Sequence, residues 1–315
     1  MRVLISPALL LVLVQHSMSL DAPFRPRVEY SEGIALGIDE RSPRFSWALP
    51  ESSVRGEIQA AYHLVVHQRH TKSGFTYDSG RVASNKTTFV GLPKSLSALP
   101  FDSEFDWSVR WWSLSASDGS PSPFLNSSFS TGIGSGSWMV PWNDAQWIVA
   151  AKVRGEGSGT QIRKTFSLHS PATRAALYVA AIGWYQVSLD GLSVSSHVAG
   201  DQTNFEKRIW YTTYNVTHQL RSAGDHAIGF TLAQGWDSRR GAGKNGASIL
   251  VRLSADLQSG DHVDIVSDTT WHSGAGPRGA GPTMHADVYM GETYNATMET
   301  PGWTSASYNE SSSGK

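Results

Sequence analysis

The chain has 315 residues, with 26 Lys and Arg against 27 Asp and Glu and no basic run, so it lacks the footprint a phosphate backbone demands and nucleic acid is excluded as a partner. Apolar residues make up 40% and charged residues 17%, with 30 glycines and 12 tryptophans, a profile that predicts turn-rich all-β structure rather than long surface helices. Cysteine is absent, so stability has to come from packing, and the length allows two domains of ordinary size.

At the N-terminus, Arg2, an apolar run from Val3 to Val14 and the small residues Ser17 and Ser19 read as a secretory signal peptide over residues 1–19. That run is shorter than the roughly 20 residues needed to cross a bilayer. The expected mature protein is therefore secreted or extracellular, and off the membrane once the leader is cleaved. Five of the eight asparagines, Asn85, Asn126, Asn215, Asn295 and Asn309, lie in glycosylation sequons, as suits a secretory protein.

From Phe24 to Thr131 the pattern has period two. Tyr62, Leu64 and Val66 alternate with His63, Val65 and His67, and Phe105, Trp107, Val109 and Trp111 alternate with more polar neighbours. This predicts a small antiparallel β-sandwich over residues 22–133, with a hairpin-type turn at Asp118-Gly119. The Gly- and Ser-rich stretch that follows predicts a linker over 134–144, with Trp138, Trp142 and Trp147 marking the start of the next unit.

Beyond it, strands are expected at Ile162 to Leu168, Ala175 to Ala180, Trp184 to Leu189, His226 to Leu232, Ile249 to Leu253 and His262 to Val266. Turn signals at Asp190-Gly191, Ala223-Gly224 and Ser259-Gly260 separate them, and no segment has a capped helical period. A jelly-roll sandwich over 145–303 with a disordered tail over 304–315 is the predicted arrangement.

Two motifs have their chemistry ruled out by context. Gly241-Ala242-Gly243-Lys244-Asn245-Gly246 matches a dinucleotide-binding pattern, but a phosphate-cradling loop needs a helix directly after it, and Ser248 to Leu253 reads as a strand. His63 and His67 share a strand face, yet residues four apart on a strand stand roughly 13 Å apart, too far for one metal ion. With His70, they are expected to face solvent.

The segment DQTNFEKRIWYTTYNVT, Asp201 to Thr217, preceded by Trp184 to Gly191 and followed by Asp287 to Ala296 and Pro301-Gly302-Trp303, resembles the N-terminal β-domain of bacterial-type α-L-rhamnosidases. The runs IDERSPRFSW, QAAYHLVV, DWSVRWW and FSTG, between Leu36 and Gly132, are similar to the fibronectin-III-like module that opens many of them. In this family the catalytic carboxylates belong to a helical (α/α) barrel, and no position here matches its motifs. The resemblance therefore transfers no catalytic residue, and it implies an accessory portion that works beside such a barrel.

The resemblance also implies a site for rhamnose-containing glycans, since aromatic platforms and a few polar groups suit sugar rings. Trp184, Tyr185, Trp236 and Asp237 are the candidates; Gln234-Gly235-Trp236 is similar to the family's Gly-Asp-Gly-Trp loop with Gln in place of the acid. Some related domains bind rhamnose with calcium, for which Asp190, Asp201, Asn204 and Asp237 offer oxygens. The competing reading gives Asp190 a turn role only and the aromatics a packing role. Two departures are Gly200-Asp201-Gln202, where the family has Pro-Gly-aromatic, and Tyr294-Asn295-Ala296-Thr297, where it has Tyr-Asp-Ala-Arg. A structural or adhesive protein without sugar specificity is the alternative function.

Overall fold

The computed structural model describes residues 20–96, 98–115, 119–134, 142–149, 159–200, 202–235, 247–273 and 281–309. The expected signal peptide, Asp118, most of the expected linker, Asp201, Trp236, Asp237 and the glycine-rich 241–246 run lie outside the described residues. The strands carry the regular structure of the described residues, with short 3₁₀ geometry at Ala296–Met298 and at Gly235, as the composition predicts. Two compact units divide it: the first runs to Ala35 and takes in Arg41–Leu99 and Ser103–Phe129, and the second takes Leu36–Glu40, Pro100–Asp102 and everything from Ser130 on.

The first unit is a two-sheet sandwich built from β1 (Phe24–Val28), β2 (Ser31–Glu32), the start of β3 (Ala35–Ile38), β4 (Arg44–Ala48), β5 (Gln59–Gln68), β6 (Thr76–Asp78), β7 (Val82–Ala83), β8 (Val90–Gly91), β9 (Glu104–Ser113) and β10 (Leu125–Thr131) as far as Phe129. One sheet has the order β2-β1-β4-β8, and the other β3-β10-β9-β5-β6 with β7 on β5. The alternation in β5 and β9 is what aims Leu64, Val66, Phe105, Trp107 and Val109 inward. Their antiparallel register sets Leu64 opposite Val109 and Val66 opposite Trp107. The core they fill is aromatic: Phe45 lies 5.0 Å from Trp107 and 5.8 Å from Phe129, which stacks on Phe105 at 4.9 Å.

The three histidines each find a different partner on this unit's surface. His63 faces Asp78 through Nε2 at 2.6 Å and takes the Arg110 Nε–H on Nδ1 at 3.2 Å, His67 meets the Thr76 hydroxyl, and His70 meets Glu104.

The second unit comprises β11 (Ile148–Val149), β12 (Thr160–Leu168), β13 (Ala172–Ile182), β14 (Trp184–Leu189), β15 (Leu192–Ser193), β16 (Tyr211–Asn215), β17 (Gly224–Ala233), β18 (Ser248–Leu257), β19 (His262–Val266), β20 (His272–Ser273), β21 (Thr283–Asp287) and β22 (Gly291–Tyr294). One sheet runs β11-β18-β13-β16 with β19 on β18, the other runs β15-β14-β17-β12-β20, and β21 and β22 form a hairpin. The main core joins Leu177 and Val179 of β13 and Val251 and Leu253 of β18 to Val187, Phe230 and Leu232 of the other sheet.

Strand β13 is apolar along nearly its whole length because both of its faces are covered. Leu177, Val179 and Ala181 point into the main core, while Ala176, Tyr178 and Ala180 join Ile133, Trp142 and Leu250 in a second, smaller core.

The expected tail does not begin at 304, because residues 303–308 pack on the β12-β17 sheet. Thr304 is buried, its carbonyl accepts the Gly191 N–H at 3.1 Å, and the Ser305 carbonyl accepts from the guanidinium of buried Arg163 at 3.1 Å. Gly229 makes room for this strap: a methyl there would meet the Thr304 side chain at 2.6 Å and the Trp303 ring at 2.7 Å.

Candidate functional site

Of the residues that the sequence singles out for binding, Asp201, Trp236 and Asp237 lie outside the described residues, and the described ones take separate structural roles. Tyr185 is a core residue, 2% exposed, and its hydroxyl meets that of Tyr214 at 3.0 Å. Asp190 occupies the left-handed first position of the Asp190-Gly191 turn, with φ 51°. One of its carboxylate oxygens accepts the Ala227 N–H at 2.8 Å and the other faces buried His226 at 2.6 Å, so the side chain closes the β14–β15 hairpin onto β17. Trp184 is half-buried and lies against Gly235, where a β-carbon would meet its ring at 2.7 Å; Gly235 is there because the loop runs directly over the indole. Among the described residues, no group of three or more His, Asp or Glu side chains is placed to hold a metal ion.

Asn204, one of the candidate metal ligands, builds a turn. Its side-chain oxygen accepts the Glu206 N–H at 3.2 Å, its carbonyl accepts the N–H groups of Lys207 and Arg208 at 2.8 and 2.9 Å, and the Thr203 hydroxyl donates to the Arg208 carbonyl. A short polar side chain bonding to the backbone two residues on is the usual way Asn fixes such a bend. The consequence is a rigid platform from which Glu206, Lys207 and Arg208 project into solvent.

That platform is one wall of an open cleft of about 910 Å³. Phe205 and the run Ile209-Trp210-Tyr211 line it on one side, and Trp142 and Trp147 on another, over Ala180 of β13 and Leu250 of β18. Trp142 meets Tyr211 edge-on at 5.8 Å, and Tyr211 meets Tyr178 at 6.0 Å, so the second core is continuous with the cleft lining. Trp210 is 55% exposed, unusual for an indole that no core requires at that position.

At the rim, Asp39 accepts from the Tyr211 hydroxyl and from the Gly134 N–H at 3.0 Å. Burial, then the hydrogen bond to Asp39, push the Tyr211 phenol well above its ordinary range, so it acts there as a fixed donor. Glu206, Lys207 and Arg208 form no ion pair among the described residues.

One ring further in, Tyr178 donates to Asp102 at 2.7 Å, and Asp102 also receives Ser254 at 2.7 Å and Arg174. Burial raises the Asp102 carboxyl, but the charge and hydrogen bond of Arg174, with those of Ser254 and Tyr178, outweigh it and hold it below the ordinary carboxylate value. Arg252 bridges Asp102 at 3.3 Å to Asp264 at 2.7 Å. Both carboxylate oxygens of Asp102 thus face donors, while the buried Arg174 Nε has no hydrogen-bond partner among the described residues.

Comparison with known proteins gives this geometry its family. Residues 170–314 match the family described as the α-L-rhamnosidase N-terminal domain, and residues 23–135 match the Rha78A-like N-terminal immunoglobulin domain. This is the N-terminal β-domain pair of the α-L-rhamnosidase family.

A protein named α-L-rhamnosidase from Formosa agariphila is 30% identical over 305 residues, which span 89% of this chain and 31% of the relative. The solved α-L-rhamnosidase of Aspergillus terreus superposes with a TM-score of 0.77 at 27% identity, covering 92% of this chain and 33% of its own. That of Dictyoglumus thermophilum gives 0.75 at 25% identity, over 94% of this chain and 34% of its own. The chain spans about a third of the length of the curated relatives it matches. In this member of the α-L-rhamnosidase family, the Phe205–Tyr211 cleft wall falls inside the N-terminal-domain match, in the segment that carried the resemblance at the level of sequence.

Proposed function

We propose that this chain is the accessory, N-terminal portion of a secreted α-L-rhamnosidase, presenting rhamnose-containing glycans while the (α/α) barrel of the full-length family hydrolyses terminal α-L-rhamnosides. The observation that carries the reading is the succession of two family matches in the family's own order, at 23–135 and 170–314. The chemistry agrees: glycosidic hydrolysis needs a protonated carboxylic acid and a second carboxylate flanking the bond. The cleft carboxylates Asp39 and Glu206 are both exposed, and Asp39 is engaged by Tyr211 and Gly134 rather than turned to a substrate.

Incubating the purified chain with an aryl α-L-rhamnoside is expected to release no phenol above the buffer rate. Turnover that disappears when a residue of this chain is changed would show that the chemistry resides here and defeat the accessory role.

Passage through a secretory pathway is the second part of the proposal. Asn85, Asn126, Asn215 and Asn309 are exposed, and the partly buried Asn295 accepts from the Thr297 N–H at 3.1 Å and from the Thr297 hydroxyl at 2.7 Å. Material secreted by a eukaryotic host is expected to lose apparent mass on N-glycosidase treatment. An unchanged band counts against it.

A further inference from the structure

We propose that the cleft between the Trp142–Trp147 stretch and the Phe205–Tyr211 wall is the binding site for a neutral saccharide, an inference that rests on the carbohydrate role above and gives it a location. Sugars offer apolar C–H faces and a rim of hydroxyls, so their sites combine aromatic planes with a few hydrogen-bonding groups. The cleft has the aromatic part in Trp147, Phe205 and the 55% exposed Trp210. Its volume, about 910 Å³, lies in the range of about 300–1,000 Å³ typical of small-ligand sites.

The polar groups select for neutrality. Glu206 can only accept, and Lys207 and Arg208 can only donate, and among the described residues none of the three has an ion-pair partner. A hydroxyl does both, so a polyol satisfies the three together. An anionic ligand would face Glu206 and Asp39, and a cationic one Lys207 and Arg208.

The wall is also set before any ligand arrives. The Asn204 and Thr203 hydrogen bonds fix the turn, and Asp39 pins Tyr211, so little freedom remains to be lost on binding. By contrast, the alternative end of the sandwich has Tyr185 in the core and both Asp190 oxygens engaged internally.

Calorimetric titration of the purified chain with a neutral rhamnose-containing disaccharide, and with a uronic-acid disaccharide as comparison, tests the inference. The expected result is saturable binding of the neutral sugar with a change in tryptophan fluorescence. Trp210→Ala is expected to weaken it by about tenfold or more, and Trp210→Phe by much less. Because Trp210 is exposed, the thermal midpoint should hold, which separates loss of binding from loss of fold.

Preference for the uronic-acid sugar, or neutral-sugar binding indifferent to Trp210→Ala, overturns the cleft. If that indifferent binding is lost on Trp184→Ala or on adding a chelator, the sugar role stands and its site lies at the Trp184 end. If the folded chain binds neither sugar, both the cleft and the proposed sugar role fail.

Discussion

Replacing Asp102 with alanine is expected to cost the second unit about 3–5 kcal/mol, the range found when one partner of a buried ion pair is removed. The Arg174 side chain is 3% exposed and would keep only Asp256, at 3.4 Å, while Tyr178 and Ser254 would lose their acceptor. A urea midpoint reads the loss directly. The double change Asp102→Ala with Arg174→Met is expected to recover a large part of it, because the orphaned charge rather than the missing bond is the main penalty.

The pH dependence has a defined sign. The folded Asp102 carboxyl lies below its ordinary value, so folding favours the ionised form; the resulting stability is fully present above the unfolded value of about 3.9 and is lost as pH falls through the folded one. The gap between wild type and Asp102→Ala should therefore stay constant from neutrality down to roughly pH 5 and narrow below about pH 4. A gap that widens on acidification would contradict the ionised assignment.

Phe45→Ala is expected to be as severe in the first unit. Phe45 is fully buried and touches both Trp107 and Phe129, so truncation leaves a hole walled by two rings that strand pairing holds in place. Large aromatic truncations of this kind cost about 3–5 kcal/mol, which for a unit of this size corresponds to a fall of roughly 15–25 °C in the midpoint. Phe45→Leu should cost about half as much, since most of the volume is kept. Equal losses for the two variants would mean that the ring contacts, not the filled space, matter there.

The strands with alternating or continuous apolar residues were legible in the sequence. Trp184–Leu189 and His262–Val266 run as expected, and the strands expected at Ile162, Ala175, His226 and Ile249 are each longer than anticipated by a few residues at one or both ends. Strand β16 escaped notice because Tyr211–Asn215 sits at a sheet edge, half-buried on both faces, and so shows no alternation.

Tyr185 was readable and misjudged as a surface candidate. It has the same parity as Val187 and Leu189, and period two sends all three to the core. The cleft could not be read locally, because residues 39, 134, 142, 147 and 205–211 meet only after the sheets have formed. Even so, Trp210, the one tryptophan of the Asp201–Thr217 run, was the available hint, since it is 55% exposed and belongs to no core.

Along the outer side of β14, the following segment returns to bond with it at three successive points: Leu192 opposite Leu189, the Val194 N–H to the Val187 carbonyl, and the reciprocal Tyr185–Ala199 pair. An incoming extended peptide thus finds that backbone already saturated and cannot lengthen the sheet there by lending its own amides. Selectivity on that flank has to be exercised by projecting side chains, whose identity evolution can vary without disturbing the ladder beneath.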